Sequence, residues 1–426
     1  MTHEPADART NVIEIDDLRE PRRTAAQQAM YESGLALQVD LDPEALLREA
    51  QERTGLAAFG DETLRDRLAA QCHAVDADRG LSGIGRLVVR ERLVGLLASR
   101  LRFEDYVARH PEALEVELEA PIVVVGLPRS GTTHLVNLLA ADSRFRSLPW
   151  WECIEPTPFA GDGAGRDGID PRFRRCLDAY QVARATAPIA AAMHDRHPSV
   201  IEEDCELVDL DFCSYVLEWH ARVPLWRDHY FTLDQDAHYA FLRKQLQVLS
   251  YQRGPRRWVL KTPQHLEQLG PLMRTFPDAT IALTLRDPVA VLQSAITMLA
   301  WSDRLRRVAI DADALAAYWI DRLERLLRAS VRDLHRVPER KRVDVEFGRF
   351  MSDELGTVSR ILDVAGVGVP AKTRDDLAAY VASNPRGKNG RVLYDLRRDF
   401  HLDPAKVRER FAFYFEVFPQ IREEVR

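Results

Sequence analysis

A chain of 426 residues, 46% of them apolar, can form one large domain or two unequal ones with a sizeable core, which excludes global disorder. A net charge of −7 excludes a general nucleic-acid binder, so anionic ligands must be held by local basic clusters. Five scattered cysteines (Cys72, Cys153, Cys176, Cys205, Cys213) without a CxxC pair exclude a zinc ribbon and read as reduced thiols of a cytoplasmic protein, while the polar start MTHEPADARTN and the lack of any apolar run near ~20 residues argue against a signal peptide or a membrane span.

In chain order, residues 1 to about 30 read as a loosely ordered, charged tail. Asp42-Pro43 starts a helix with Leu46 and Leu47 on one side and Glu49, Glu52 and Arg53 elsewhere. Asp61 caps a second, in which Leu64, Leu68 and Cys72 recur every four residues. Ile84 to Leu101 forms a third, rich in Leu and Val, with Arg86, Arg90 and Arg92 expected on its outer face. Residues 31–118 are therefore expected to form a helical layer packed on a core domain spanning 119–426.

The stretch from Pro121 to Ala141, PIVVVGLPRSGTTHLVNLLAA, organises that core. Pro121 to Val125 reads as a buried strand, Gly126 to Gly131 as a tight loop, and Thr132-Thr133 as the start of a helix with Leu135, Leu138 and Leu139 inward. Strand, glycine-bounded loop and helix together hold a phosphate, because backbone N–H groups point into the loop and the helix N-terminus is partly positive. Arg129 adds a full charge, and Ser130, Thr132 and Thr133 add hydroxyls. The segment nearly fits the nucleotide-triphosphatase loop GxxxxGK[ST], but Thr132 stands where the lysine should be.

Next come Trp150, Trp151 and Glu152, an exposed Gly/Asp loop over Gly161 to Asp170, and a mostly helical insertion over about 171–250. The insertion carries the acidic string Glu202-Glu203-Asp204, most simply a solvated or capping cluster with a role near an acceptor as the lesser reading, and an aromatic stretch from Trp219 to Phe241 expected to be mainly core, with part of it available to wall an apolar pocket. Trp258 to Leu260 is a short strand ended by Lys261-Thr262-Pro263, with His265 at the next helix start. Thr280 to Leu285 is a strand ended by Arg286-Asp287-Pro288, and its helix carries Ser294. Val343 to Val345 is a fourth strand, followed by a helix over Asp353 to Val364. Strands alternating with helices predict an α/β fold with a parallel, covered sheet, whose ligands lie beyond the carboxyl ends of the strands. Arg129, Lys261 and Arg286 all stand just past strand ends and should converge on one crevice.

GLPRSGTTHLVNLL followed by TLRDPVAVLQS resembles the PAPS-dependent sulfotransferases, where PAPS is 3′-phosphoadenosine 5′-phosphosulfate. The bacterial members of that family are the nearest in pattern, sharing the helical N-terminal layer, the PIVVVGLPRSGTT segment, the WE pair and the EED string. The resemblance implies a Rossmann-like P-loop fold, with residues 31–426 as a single sulfotransferase domain. It assigns the loop, Arg129 to His134, to the 5′-phosphosulfate, and Arg286 and Ser294 to the 3′-phosphate. Arg386, Gly387 and Lys388 resemble a late basic segment that closes over the same phosphate. The catalytic histidine of one family branch is replaced here by Pro263. Glu152 is then the first candidate base, as a Glu shortly after the first helix, followed by His265 and by His134, which also suits packing against adenine.

The function these features imply is transfer of the sulfuryl group of PAPS, leaving PAP, to a hydroxyl or amine of a small-molecule, lipid or carbohydrate acceptor. Arg129 and the loop would hold the phosphosulfate, Lys261 would neutralise the bridging oxygen, and no metal is expected. Two alternatives stand beside it: a P-loop kinase or NTPase, which wants a lysine at Thr132, and a non-catalytic PAP-binding relative. The residues carry no code for the acceptor or the oligomeric state.

Overall fold

Five short strands set the frame: β2 (Ile122–Gly126), β3 (Phe145–Arg146), β4 (Arg257–Lys261), β5 (Thr280–Leu285) and β6 (Arg342–Glu346). They form one sheet in the order β3-β4-β2-β5-β6, and every pairing is parallel. The computed structural model describes residues 12–163, 168–186, 196–384 and 391–425. Because all strands run the same way, β2, β4 and β5 deliver the residues after Gly126, Lys261 and Leu285 to one edge of the sheet.

Both faces of the sheet are covered, and the strand sequences show why. Val123, Val125, Leu260, Ile281 and Leu283 belong to one apolar cluster with the helices Gln235–Arg253, Pro288–Arg306 and Ala312–Asp333. Their neighbours Ile122, Val124, Val259 and Ala282 face a second cluster with the helices Thr132–Ala140 and Glu354–Val364. Side chains alternate across a strand, so a sheet clothed on both sides needs unbroken apolar runs such as IVVV. After α1 (Ala25–Ala36), a third cluster joins α2 (Pro43–Thr54), α3 (Leu64–Ala77) and α4 (Gly83–Arg109) to the chain around 210–248; its buried members include Leu46, Leu68, Val94 and Trp226.

The reading of residues 1 to about 30 as a tail does not hold for 12–30. Here β1 (Val12–Glu14) pairs in parallel with β7 (Arg391–Leu393), and Ile15 and Leu18 are buried in the main cluster. Arg92, expected on an outer face, instead turns inward and ion-pairs with Glu206 at 2.6 Å and Asp209 at 2.5 Å.

Candidate active site

The site is built at the carboxyl edge of the sheet. A Cβ at Gly126 would lie 1.8 Å from Thr284 Oγ1, so glycine lets the end of β2 lie against β5. The turn that follows uses left-handed backbone at Arg129 (φ 65°) and Gly131 (φ 86°). Left-handed backbone is strained for an arginine and is kept only where its surroundings hold it. Gly131 is the N-cap of α5 (Thr132–Ala140) and has no side chain to cap the first-turn amides. Amides at a helix N-terminus, beside an arginine, suit a phosphate-type anion and fit the phosphosulfate end of PAPS.

The expected second anion station meets this loop directly. Arg129 Nε donates to Ser294 Oγ at 3.0 Å, and Ser294 Oγ donates to the Tyr394 hydroxyl at 2.9 Å. Arg286 Nη1 donates to the Arg129 carbonyl at 2.6 Å, and its guanidinium lies 3.9 Å over the Phe347 ring. The other edge of Arg286 is paired with the Glu423 carboxylate at 2.9 and 3.2 Å. Asp287 caps the helix Pro288–Arg306 through Val289 N–H at 2.8 Å and accepts from Glu423 N–H at 3.0 Å, fixing both partners of that pair.

Lys261 closes a third side. It is buried, with Nζ 2.8 Å from Glu203 Oε1 and 3.4 Å from Thr133 Oγ1. Burial alone would lower its pKa, but the Glu203 and Glu202 carboxylates outweigh that and hold it above the ordinary lysine value. Beside this group opens a cavity of about 550 Å³. Arg129, Gly131, Thr132, Thr133 and His134 line its loop end, with Glu202 and Glu203 adjacent. Tyr215, Val216 and Trp219 form one wall, and Met298, Leu299 and Ser302 of the helix Pro288–Arg306 form another. Part of the aromatic stretch read as core thus faces the cavity at Trp219, whereas Trp226, Tyr230 and Tyr239 are buried.

Several expected site residues are placed elsewhere. Glu152, the first candidate base, is fully buried, with Arg253 Nη1 2.7 Å and Arg146 Nη2 3.5 Å from its oxygens, and it does not line the cavity. Its pair with Arg146 on β3 and Arg253 just before β4 puts it toward the opposite edge of the sheet. His265 is also fully buried and outside the cavity lining; the Tyr239 hydroxyl lies 2.7 Å from Nδ1 and Asp204 Oδ2 2.9 Å from Nε2. The Ser130 hydroxyl donates to the Leu127 carbonyl within the loop at 2.6 Å and lies 2.7 Å from Thr284 Oγ1 on β5, so it is turned toward the sheet and does not line the cavity. His134 does line the cavity, with Nε2 3.0 Å from Glu354 Oε1. Arg386, Gly387 and Lys388 lie outside the described residues.

Glu203, read from the sequence as part of a solvated or capping cluster before any role near an acceptor, lines the cavity. It reaches the cavity because the chain around Ile201 bridges to Pro149, and Asp204 N–H donates to the Lys261 carbonyl at 3.2 Å. The acidic string was visible in the sequence, but nothing local says that it docks on a strand end 58 residues later. Among the described residues, no group of three or more His, Cys, Asp or Glu side chains is arranged to hold a metal ion, and no helix is long and apolar enough to cross a membrane.

Comparison with known proteins bears on this arrangement. No curated protein matches the chain. Among solved structures, the sulfotransferase STF9 from Mycobacterium avium superposes with a TM-score of 0.80 at 25% identity, covering 92% of this chain and all of that one (100%). The sulfotransferase STF1 from Mycobacterium tuberculosis H37Rv gives 0.77 at 27% identity, covering 87% of this chain and 98% of that one. The sequence model of the sulfotransferase family matches residues 121–371, from the first residue before β2 to the start of the helix Ala371–Ser383, and so takes in the loop, Glu203, Lys261, Arg286 and Ser294. With its parallel sheet, its loop at the end of β2 and that match, the chain belongs to the sulfotransferase family.

Proposed function

We propose that this protein is a PAPS-dependent sulfotransferase acting on a hydroxyl or amine of a small-molecule, lipid or carbohydrate acceptor, with Glu203 as the proton acceptor. When bound, PAPS supplies an activated sulfuryl group: its sulfur bonds to the acceptor oxygen or nitrogen as the bond to the phosphate-side oxygen breaks and PAP departs. The α5 amides and Arg129 hold the 5′-phosphate, and Arg286 and Ser294 hold the 3′-phosphate. Lys261 keeps its positive charge beside Thr133, where negative charge grows on the leaving oxygen. Glu203 receives the acceptor proton; its Oε1 is oriented by Lys261 at 2.8 Å, while among the described residues Oε2 has only long contacts, to the Tyr215 hydroxyl at 3.4 Å and Cys205 Sγ at 3.5 Å.

The observation that carries this reading is the direct contact of loop and second station, Arg129 with Ser294 at 3.0 Å and Arg286 with the Arg129 carbonyl at 2.6 Å. A cofactor with phosphates at both ends of an adenosine needs two cationic sites held in fixed relation. The five buried free cysteines favour a cytoplasmic setting. A single domain is favoured by the main apolar cluster, which runs from Ile15 to Ile421. Calorimetric titration with PAP, beside ATP plus Mg²⁺, tests the proposal. Tight PAP binding with weak ATP binding is expected; ATP–Mg²⁺ binding without PAP binding makes the chain a phosphoryl-transfer protein instead.

A further inference from the structure

The helix Pro288–Arg306 runs from the anion station along the cavity. Ser294 contacts Arg129, and the wall residues Met298, Leu299, Ser302 and Arg306 follow on succeeding turns. From Ser294 to Arg306 the helix rises roughly 18 Å, at about 1.5 Å per residue. The middle of the cavity is apolar: Met298 and Leu299 face Val216 and Trp219, and Trp219 is backed by Trp319 with ring centroids 4.3 Å apart.

The end away from the loop is basic and poorly compensated. Arg306 has a buried Nε without a partner among the described residues, a 3.5 Å contact from Nη1 to the Trp219 carbonyl, and its carboxylate neighbour Asp303 as far as 3.9 Å away. Burial holds its pKa below the ordinary arginine value; Asp303 opposes the shift, and Arg196 and Arg307 add to it. Arg196 lines the same cavity, is exposed, and stacks 4.8 Å over Trp150, with no carboxylate partner among the described residues. His220, also in the lining, has both ring nitrogens buried and unpartnered among the described residues. Burial, then Arg92, Arg306 and Arg196, push its pKa well below the usual value, so the ring is a neutral donor and acceptor. The cavity's own carboxylates are engaged elsewhere: Glu203 with Lys261, Glu206 with Arg92, Glu354 with His134 at the loop end, and Glu202 is also partnered. Buried cationic and polar groups without partners are costly unless a ligand completes them.

We infer that the acceptor is an amphipathic anion, its hydroxyl at the loop end, an apolar body against Trp219 and Met298, and a carboxylate-sized anionic group received by Arg196, Arg306 and His220. Which end reacts rests on the sulfotransferase reading; the anion site itself does not. The test uses the full chain and two matched pairs. Binding of dodecanoate and of its methyl ester, below micelle-forming concentrations, is measured by calorimetry without cofactor. Transfer from PAPS is measured on ω-hydroxydodecanoate and its methyl ester. The acid is expected to bind ~10-fold tighter than the ester, and the hydroxy acid to exceed its ester by about the same factor in kcat/KM. Arg306→Gln and Arg196→Ala should each bring both ratios toward one; Arg196 is exposed, so its variant keeps the test readable if Arg306→Gln does not fold. Equal binding of acid and ester, or ratios that neither variant moves, overturns the inference. Failure of PAP to bind overturns the sulfotransferase reading alone, because the dodecanoate comparison stands without it.

Discussion

Glu152 and Glu203 are both carboxylates set against cations, and they differ in what else can reach them. Glu152 is sealed between Arg146 and Arg253, and burial has pushed the Arg146 pKa down to about 10, a sign of how little solvent is there. Glu203 shares a cavity wall with Thr133, Lys261 touching both. Glu203→Gln should therefore leave PAP affinity near the wild-type value and lower turnover by roughly 10²–10⁴-fold, whereas Glu152→Gln should leave turnover in place and lower stability by about 3–5 kcal/mol. Turnover assays beside denaturant melts of the two variants read this directly; a reversed pattern returns the base to Glu152. Arg286 poses a second question at this scale, since Glu423 already holds the edge that the 3′-phosphate would use. On the proposed reading, Glu423→Gln should tighten PAP binding by roughly tenfold, about 1.4 kcal/mol, by removing a competing carboxylate. Arg286→Ala should weaken it by about 2–5 kcal/mol. Unchanged affinity in both variants removes Arg286 from the cofactor site.

At the scale of elements, the loop keeps its shape because β2 and β5 approach closely at Gly126. An alanine there would place Cβ 1.8 Å from Thr284 Oγ1 and 2.9 Å from the Thr284 carbonyl. Gly126→Ala should cost about 1–3 kcal/mol, and adding Thr284→Ala should recover only part, because the carbonyl contact remains. Full recovery in thermal melts of the double variant would mean that only the hydroxyl mattered. This junction also explains what was legible in the sequence. β2 is an unbroken apolar run and β5 is fully buried with only Thr280 and Thr284 interrupting its apolar residues, because both faces are covered, and runs such as IVVV and TIALTL announce themselves. The two-residue β3 and the three-residue β1 and β7 have no periodicity to detect, and β1 finds its partner some 380 residues away. The loop was legible because its glycines, hydroxyls and arginine are consecutive. The proposed proton acceptor was not, because Glu203 and Lys261 meet only through the docking of the insertion. Glu152 follows the loop closely in sequence, but that proximity does not decide which cavity its side chain enters, and here it pairs with Arg146 and Arg253.

For the molecule as a whole, the cavity wall depends on a charge cluster at the centre of the fold. Arg322, on the helix Ala312–Asp333, is fully buried; its Nη1 and Nη2 each lie 2.7 Å from Glu267, and its Nε lies 2.7 Å from Glu218. Glu267 ends the turn that follows β4, and Glu218 sits in the turn Val216–Trp219, two of whose residues face the cavity. One guanidinium thus ties the sheet edge, a covering helix and the cavity wall together. Arg322→Met strands two buried carboxylates and should cost about 3–5 kcal/mol. It should also raise the acceptor KM more than the PAP Kd, since the cluster holds the wall and not the phosphate loop. Replacing the set together, as Arg322→Met with Glu218→Met and Glu267→Leu, removes the stranded charges and should return most of the lost stability; Tyr318, which donates to Glu218, is only partly buried and can turn to water. Urea melts of the single and triple variants separate the two effects. If the triple variant stays as unstable as the single one, the directional bonds of the cluster, and not its unpaired charge, hold the wall in place.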